Sequence, residues 1–278
     1  MGERRTSFRR LRRLFAAASV LTALAAVTPA VAGATTTPAP GYEQFVGCPH
    51  PGLNPEIETC FRSVITGGVL ELGSLEIPLT QSIALSGGMT GAGSFDSGPK
   101  GGLQVVKQSV PGGVIGLTGF TWLAEFLGSE ALALYAVIEL ADTPGDQLAE
   151  PASLPVKVHL INSVLGNKCY VGSKAEPIEL ELITGTTSPP SPNTPITGAP
   201  GTSTTTLNGV TDITGGKHVD NAFAAPGASG CVLTLFGFPA TSIDEEIDSQ
   251  TGLPAEAGYN RTIQNFTTEF VSSALVYP

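Results

Sequence analysis

Lys217-His218-Val219-Asp220-Asn221 sets an imidazole and a carboxylate two residues apart. In an extended segment residues i and i+2 share a face. An imidazole oriented by a carboxylate is what a general base requires. The nucleophile of such a set is not marked: the chain has no G-x-S-x-G elbow, and its cysteines are expected to be oxidised. The structural alternative is that Asp220 and Asn221 cap a turn before the Gly/Pro-rich stretch ending at Cys231. Of the other histidines, His159 alternates onto the wet face of a strand, and His50 sits beside Cys48 and Pro49 in a turn.

Asp244-Glu245-Glu246 with Asp248 is an acidic cluster of the kind that attracts calcium. It lacks the alternating ligands and central glycine of an EF-hand loop, and acidic residues also suit the start of a helix. Asp244, Glu245 and Asp248 are the ligands such a site would use, but no metal site is expected. Gly215-Gly216-Lys217 lacks the flanks of a P-loop, and Gly91-Ala92-Gly93 does not extend to G-x-G-x-x-G; no cofactor is expected. The single tryptophan, Trp122, reads as buried, and aromatic content is 6%, which argues against a sugar-stacking face. Asn260 and Asn265 open N-glycosylation sequons.

Cys48, Cys60, Cys169 and Cys231 allow three pairings. Cys48–Cys60 closes a short loop. Cys169–Cys231 joins two strand-like runs and tethers the Pro/Thr-rich segment between them. This pairing is favoured, and no C-x-x-C supports a metal instead.

Six arginines between Arg4 and Arg13, an apolar run from Leu14 to Val27, and Ala30-Val31-Ala32 have the form of a secretory signal peptide over residues 1–32. The apolar run is short for a membrane span, and Pro29 interrupts its end. Arg12-Arg13 leaves the general secretory and twin-arginine routes both open. Cleavage after Ala32 removes six of 14 basic and one of 24 acidic residues, leaving 8 against 23 and a net charge of −15. Such a surface does not bind nucleic acid electrostatically. The mature chain shows no transmembrane anchor, so it is expected outside the cell, free or loosely held at the envelope.

Charged residues are 14% and hydrophobic residues 41%, with 34 glycines and 22 prolines spread along the chain. That excludes gross disorder and disfavours long helices. Residues 33–44 read as a flexible lead-in. Period-two alternation marks strands at Leu75–Leu85, Leu134–Leu140, Val156–Leu160, Ile178–Leu182 and 262–277. Pro78 lacks an N–H and puts a break or a sheet edge inside the first. Lys157 is expected near Glu179 or Glu181 if the third and fourth of these strands are neighbours. Residues 86–102 read as a mobile Gly/Ser loop, and 184–206 as a Pro/Thr-rich surface loop within one domain. One short helix is expected near 123–131 and another over 243–251, the latter with the capping-box spacing Ser242…Glu245. The sum is a mainly β domain over 45–278, a sandwich or jelly-roll-like body with one or two short helices.

LPVKVHLINSVLGNKCYVGS (154–173), PIELELITGTTSPPSPNTPITG (177–198) and VDNAFAAPGASGC (219–231) resemble a group of exported actinobacterial proteins that carry no assigned activity. SLEIPLTQSIALSGG (74–88) and VPGGVIG (110–116) are similar too. The resemblance covers most of the mature chain and implies export and one continuous domain; it transfers no catalytic residue or ligand. The leading expectation is a secreted non-catalytic β-domain with a structural, adhesive or ligand-binding role, its partners being envelope or extracellular components. The alternative is a secreted hydrolase using His218 and Asp220.

Overall fold

A computed structural model describes residues 37–104 and 106–278; the signal-peptide reading of 1–32 and the first part of the lead-in lie outside them. In chain order the elements are β1 (Ile57–Leu72), β2 (Leu75–Pro78), β3 (Ile83–Thr90), β4 (Phe95–Asp96), β5 (Gly102–Leu103), β6 (Lys107–Val110), α1 (Gly113–Thr118), α2 (Leu123–Phe126), β7 (Leu134–Leu140), β8 (Ala152–Ile161), β9 (Tyr170–Val171), β10 (Ile178–Leu182), β11 (Thr202–Thr205), β12 (Thr211–Asp220), β13 (Ala228–Ser229), β14 (Val232–Leu235), β15 (Phe238–Ser242), α3 (Asp244–Thr251), β16 (Arg261–Ser272) and α4 (Ser273–Val276).

The strands form two main antiparallel sheets. The larger runs β11-β12-β16-β1-β3-β4, with β2 beside β1 and β5 beside β3; the smaller runs β13-β9-β8-β7-β6, with β10 beside β8. Alternation decides which side chains meet between them. Phe61, Leu70, Ile77 and Leu85 of the first sheet share one core with Ala136, Leu154, Val158 and Leu180 of the second. The result is a sandwich-like β domain. A smaller cluster, including Phe45, Cys60, Val271 and Tyr277, covers the reverse face of the first sheet.

Beyond β10 the two sheets meet at a seam. Ile183 and Val219 exchange backbone hydrogen bonds at 3.1 and 2.9 Å, so the chain leaving the second sheet lies along β12 of the first. The segment expected as a surface loop then folds back on itself at the Thr186–Thr197 bridge, pairs with β12 at Ala199–Lys217, and ends in the edge strand β11. Disulfides join Cys48 to Cys60 and Cys169 to Cys231. Among the described residues no helix is long and apolar enough to cross a membrane.

Several local expectations change. Residues 86–102 are not one loop: Ser86, Gly87 and Gly88 continue β3 against Arg62, Phe61 and Cys60, and β4 and β5 follow. Glycine is required here for close approach, because a Cβ on Gly87 would run into the Phe95 ring. Lys157 pairs with Glu139, directly opposite it, at 3.3 Å, not with Glu179 or Glu181, which stand opposite Pro155 and Ser153. The later part of the lead-in is tied down: Ala39 N donates to Val276 O, and the Tyr42 hydroxyl donates to Asn208 O. The helix near 123–131 is broken into α2 and a 3-10 turn, and Trp122 is 39% exposed rather than buried. The N-cap of α3 is Ile243, without a side-chain cap. Ser242, one residue earlier, ends β15 and donates to Asp244 Oδ2 instead of forming the capping box.

Candidate functional site

The central strand of the first sheet, β16, is flanked on both sides by irregularities. In β1 the register against β16 shifts between Ile65 and Gly67; in β12 it shifts between Ile213 and Gly216. Both extra residues fall beside Phe266. A bulge changes which side chains face inward, because strand side chains alternate with period two. Before the bulge in β12, Ile213 points between the sheets; after it, Gly216, His218 and Asp220 do, and Lys217 is turned out. Gly215 supplies the left-handed turn at φ +68°. Gly216 leaves the space that the Phe266 ring fills, since a Cβ there would overlap it.

Between the sheets at this point lies a cavity of about 310 Å³. Its floor is the inner face of the first sheet. Ser63 stands opposite Thr268, Phe61 opposite Phe270 and Ile65 opposite Phe266, with His218 opposite Gln264 on the far side of β16. Leu154, Leu182, Gln147–Glu150, Thr184 and Pro200 form the roof and mouth. The lining is mostly apolar, with a short polar row of Ser63, Thr268, Gln264 and His218. Thr268 Oγ1 donates to Ser63 Oγ at 2.8 Å.

His218 stacks on Phe266 with ring centroids 3.9 Å apart and planes 18° from parallel. Burial pulls its pKa down to about 4, against a smaller upward pull from the Glu150 carboxylate, so the imidazole is neutral at pH 7. Glu150 is held at the mouth by the Thr184 backbone N–H at 3.0 Å and by the Thr184 hydroxyl.

Asp220 does not serve His218. Its Oδ2 accepts the Glu181 N–H at 2.8 Å and its Oδ1 the Ala222 N–H at 2.9 Å. Burial raises its pKa, opposed by these backbone hydrogen bonds. The shared face inferred from the i, i+2 spacing is present, but the carboxylate is spent on backbone donors at the seam, and among the described residues no triad is assembled. His159 stacks on Tyr170 at 4.3 Å and lies 3.6 Å from Glu139, half-buried rather than exposed. His50 Nδ1 accepts the Gly52 N–H, and its ring packs edge-on to Tyr277.

Two members of the acidic cluster are likewise committed, while Glu245 is exposed on α3. Asp244 Oδ1 accepts the Cys231 N–H at 2.7 Å, and Asp248 Oδ1 accepts the Ala228 N–H at 2.6 Å. Among the described residues no group of three or more His, Cys, Asp or Glu side chains is placed to hold a metal ion. Asn260 is 1% exposed, and its amide is consumed by Gly73, Phe223, Ala255 and Glu256, so the folded chain offers no sugar acceptor there. Asn265 is exposed.

Sequence reasoning singled out His218 but missed Gln264, Phe266, Ser63, Thr268 and Glu150. The alternation Thr262, Gln264, Phe266, Thr268, Phe270 was the available signal for one face, and Gly215-Gly216 inside a strand pattern was the signal for a bulge. No family model, curated protein or solved structure matches the chain.

Proposed function

We propose that this chain is a non-catalytic binding domain that acts outside the cell and holds a small, mostly apolar molecule between its two sheets. One observation carries the reading: an open cavity with apolar walls and a few convergent polar groups, at the place where two bulges interrupt the central ladder. Binding sites of small molecules have this make-up and volume range. Two disulfides support folding in an oxidising compartment. Envelope association stays part of the proposal. The neutral, stacked His218 and the committed Asp220 favour binding over acid–base turnover.

The test is titration with the uncharged dye Nile red. Saturable binding at one dye per chain with blue-shifted emission is expected, and Ile213→Trp, which puts an indole into the cavity from its floor, abolishes it. Binding that does not saturate, or that Ile213→Trp leaves intact, would overturn the assignment.

A further inference from the structure

The polar row in the cavity carries a definite hydrogen-bonding pattern. Gln264 is 4% exposed, and a neighbour fixes the orientation of its amide. Thr262 Oγ1 donates its proton to the Val69 carbonyl at 3.1 Å, so that oxygen is left only as an acceptor for Gln264. Gln264 therefore turns Nε2 toward Thr262, at 3.2 Å, and presents Oε1 elsewhere. Oε1 makes no hydrogen bond to another described residue. Nor is it sealed in: among the described residues the fully buried side-chain acceptor without a partner is Asn221 Oδ1, and Gln264 lines the cavity. A hydrogen-bond donor that enters the cavity can therefore reach a carbonyl oxygen that the described residues leave free.

His218 faces Gln264 directly across the β12–β16 ladder. Among the described residues no Lys or Arg lines the cavity, and the one acidic side chain there, Glu150, stands at the mouth. A carboxylate or phosphate entering here meets a carbonyl oxygen and a carboxylate, with no cation to balance it.

We propose that the ligand is a neutral amphiphile. Its apolar body lies over Phe61, Phe266 and Phe270, and its uncharged, hydrogen-donating head, a hydroxyl or carboxamide, sits between Gln264 Oε1 and the His218 ring. Anionic heads are rejected. This assignment rests on the reading of the cavity as a small-molecule site.

Decanol, decanamide and decanoate share a chain length and differ in the head. Displacement of Nile red, at a pH where decanoate is ionised, separates them. The alcohol and the amide are expected to bind at least about tenfold more tightly than the carboxylate. Gln264→Leu weakens the alcohol and amide by about tenfold, with the dye's own affinity for the variant measured first and used to correct the displacement, and Glu150→Gln narrows the gap to decanoate. Decanoate binding as tightly as decanol overturns the head assignment and leaves the cavity reading standing. So does a folded Gln264→Leu variant with undiminished affinity for decanol, or dye binding that none of the three compounds displaces. Failure of the dye and of all three compounds to bind overturns the cavity reading itself.

Discussion

Asp220 reaches across the seam of the sandwich and takes the backbone N–H of Glu181 at 2.8 Å, so one side chain of β12 clips β10 of the second sheet to the edge of the first. Its other oxygen takes Ala222 N–H. Asp220→Ala leaves two backbone donors without partners and is expected to cost about 2–4 kcal/mol, read as a lower urea midpoint. Asp220→Asn keeps one acceptor and recovers part of the loss. If Asp220 instead served to orient His218 for catalysis, its removal would leave the urea midpoint near that of the parent.

His218 makes stability depend on pH. Its folded pKa, about 4, lies below the ordinary histidine value of 6.5 because burial disfavours the charged ring. The unfolded chain therefore binds more protons between these values, and stability rises with pH through that window. The contribution is fully present above about pH 6.5 and is lost as pH falls toward 4, in total of order 3 kcal/mol. Asp220, its pKa raised by burial, acts in the opposite sense. The measurement is therefore the difference between parent and His218→Gln, which should grow with pH across the window. A flat difference would mean that the ring is solvated when folded.

The two disulfides close loops of unequal size, with separations of 12 and 62 residues. Chain-entropy arguments give about 3 kcal/mol for the shorter and about 4 kcal/mol for the longer. Replacing Cys169 and Cys231 by alanine together should lower the melting temperature more than replacing Cys48 and Cys60. The reverse order would show that packing around Cys48 and Cys60, not loop length, sets the cost.

Phe236 sits at the tip of the β14–β15 hairpin with φ +52° and is 82% exposed. A bulky residue in the left-handed region is strained, and here little packing compensates. Phe236→Gly and Phe236→Asn are expected to stabilise the chain by about 0.5–1 kcal/mol, measured by chemical denaturation. A loss of stability would mean that the ring contributes to the apolar recess it shares with Trp122 and Phe126.

Gly216→Ala drives a methyl group into the Phe266 ring. A cost of about 1–3 kcal/mol is expected, together with weaker Nile red binding as the ring swings into the cavity. Unchanged dye affinity in the folded variant would detach the bulge from the site.

The strands themselves were legible because their alternation is local. Ile178, Leu180 and Leu182 are buried, and Glu179 and Glu181 exposed, as period two requires. The pairing of strands was less so. Lys157 finds Glu139 rather than Glu179 because register depends on the turn lengths and on the core, not on either strand alone. Gly87 and Gly88 look like loop residues by composition, yet they mark where one backbone lets a neighbour close in. The site was half visible. His218 stood out through Asp220, but its inward orientation comes from the bulge at Gly215, and its neighbours Ser63 and Thr268 lie 205 positions apart.

That distance has a consequence for how the molecule is made. β1 and β16 are the first and last long strands, and they are partners along their whole length, joined by contacts such as Glu71 to Arg261, 190 residues apart. The spine of the larger sheet cannot zip until residues 261–272 have been made. Folding is slowed by such long-range closure, and a chain cut short before residue 261 has no middle to assemble around.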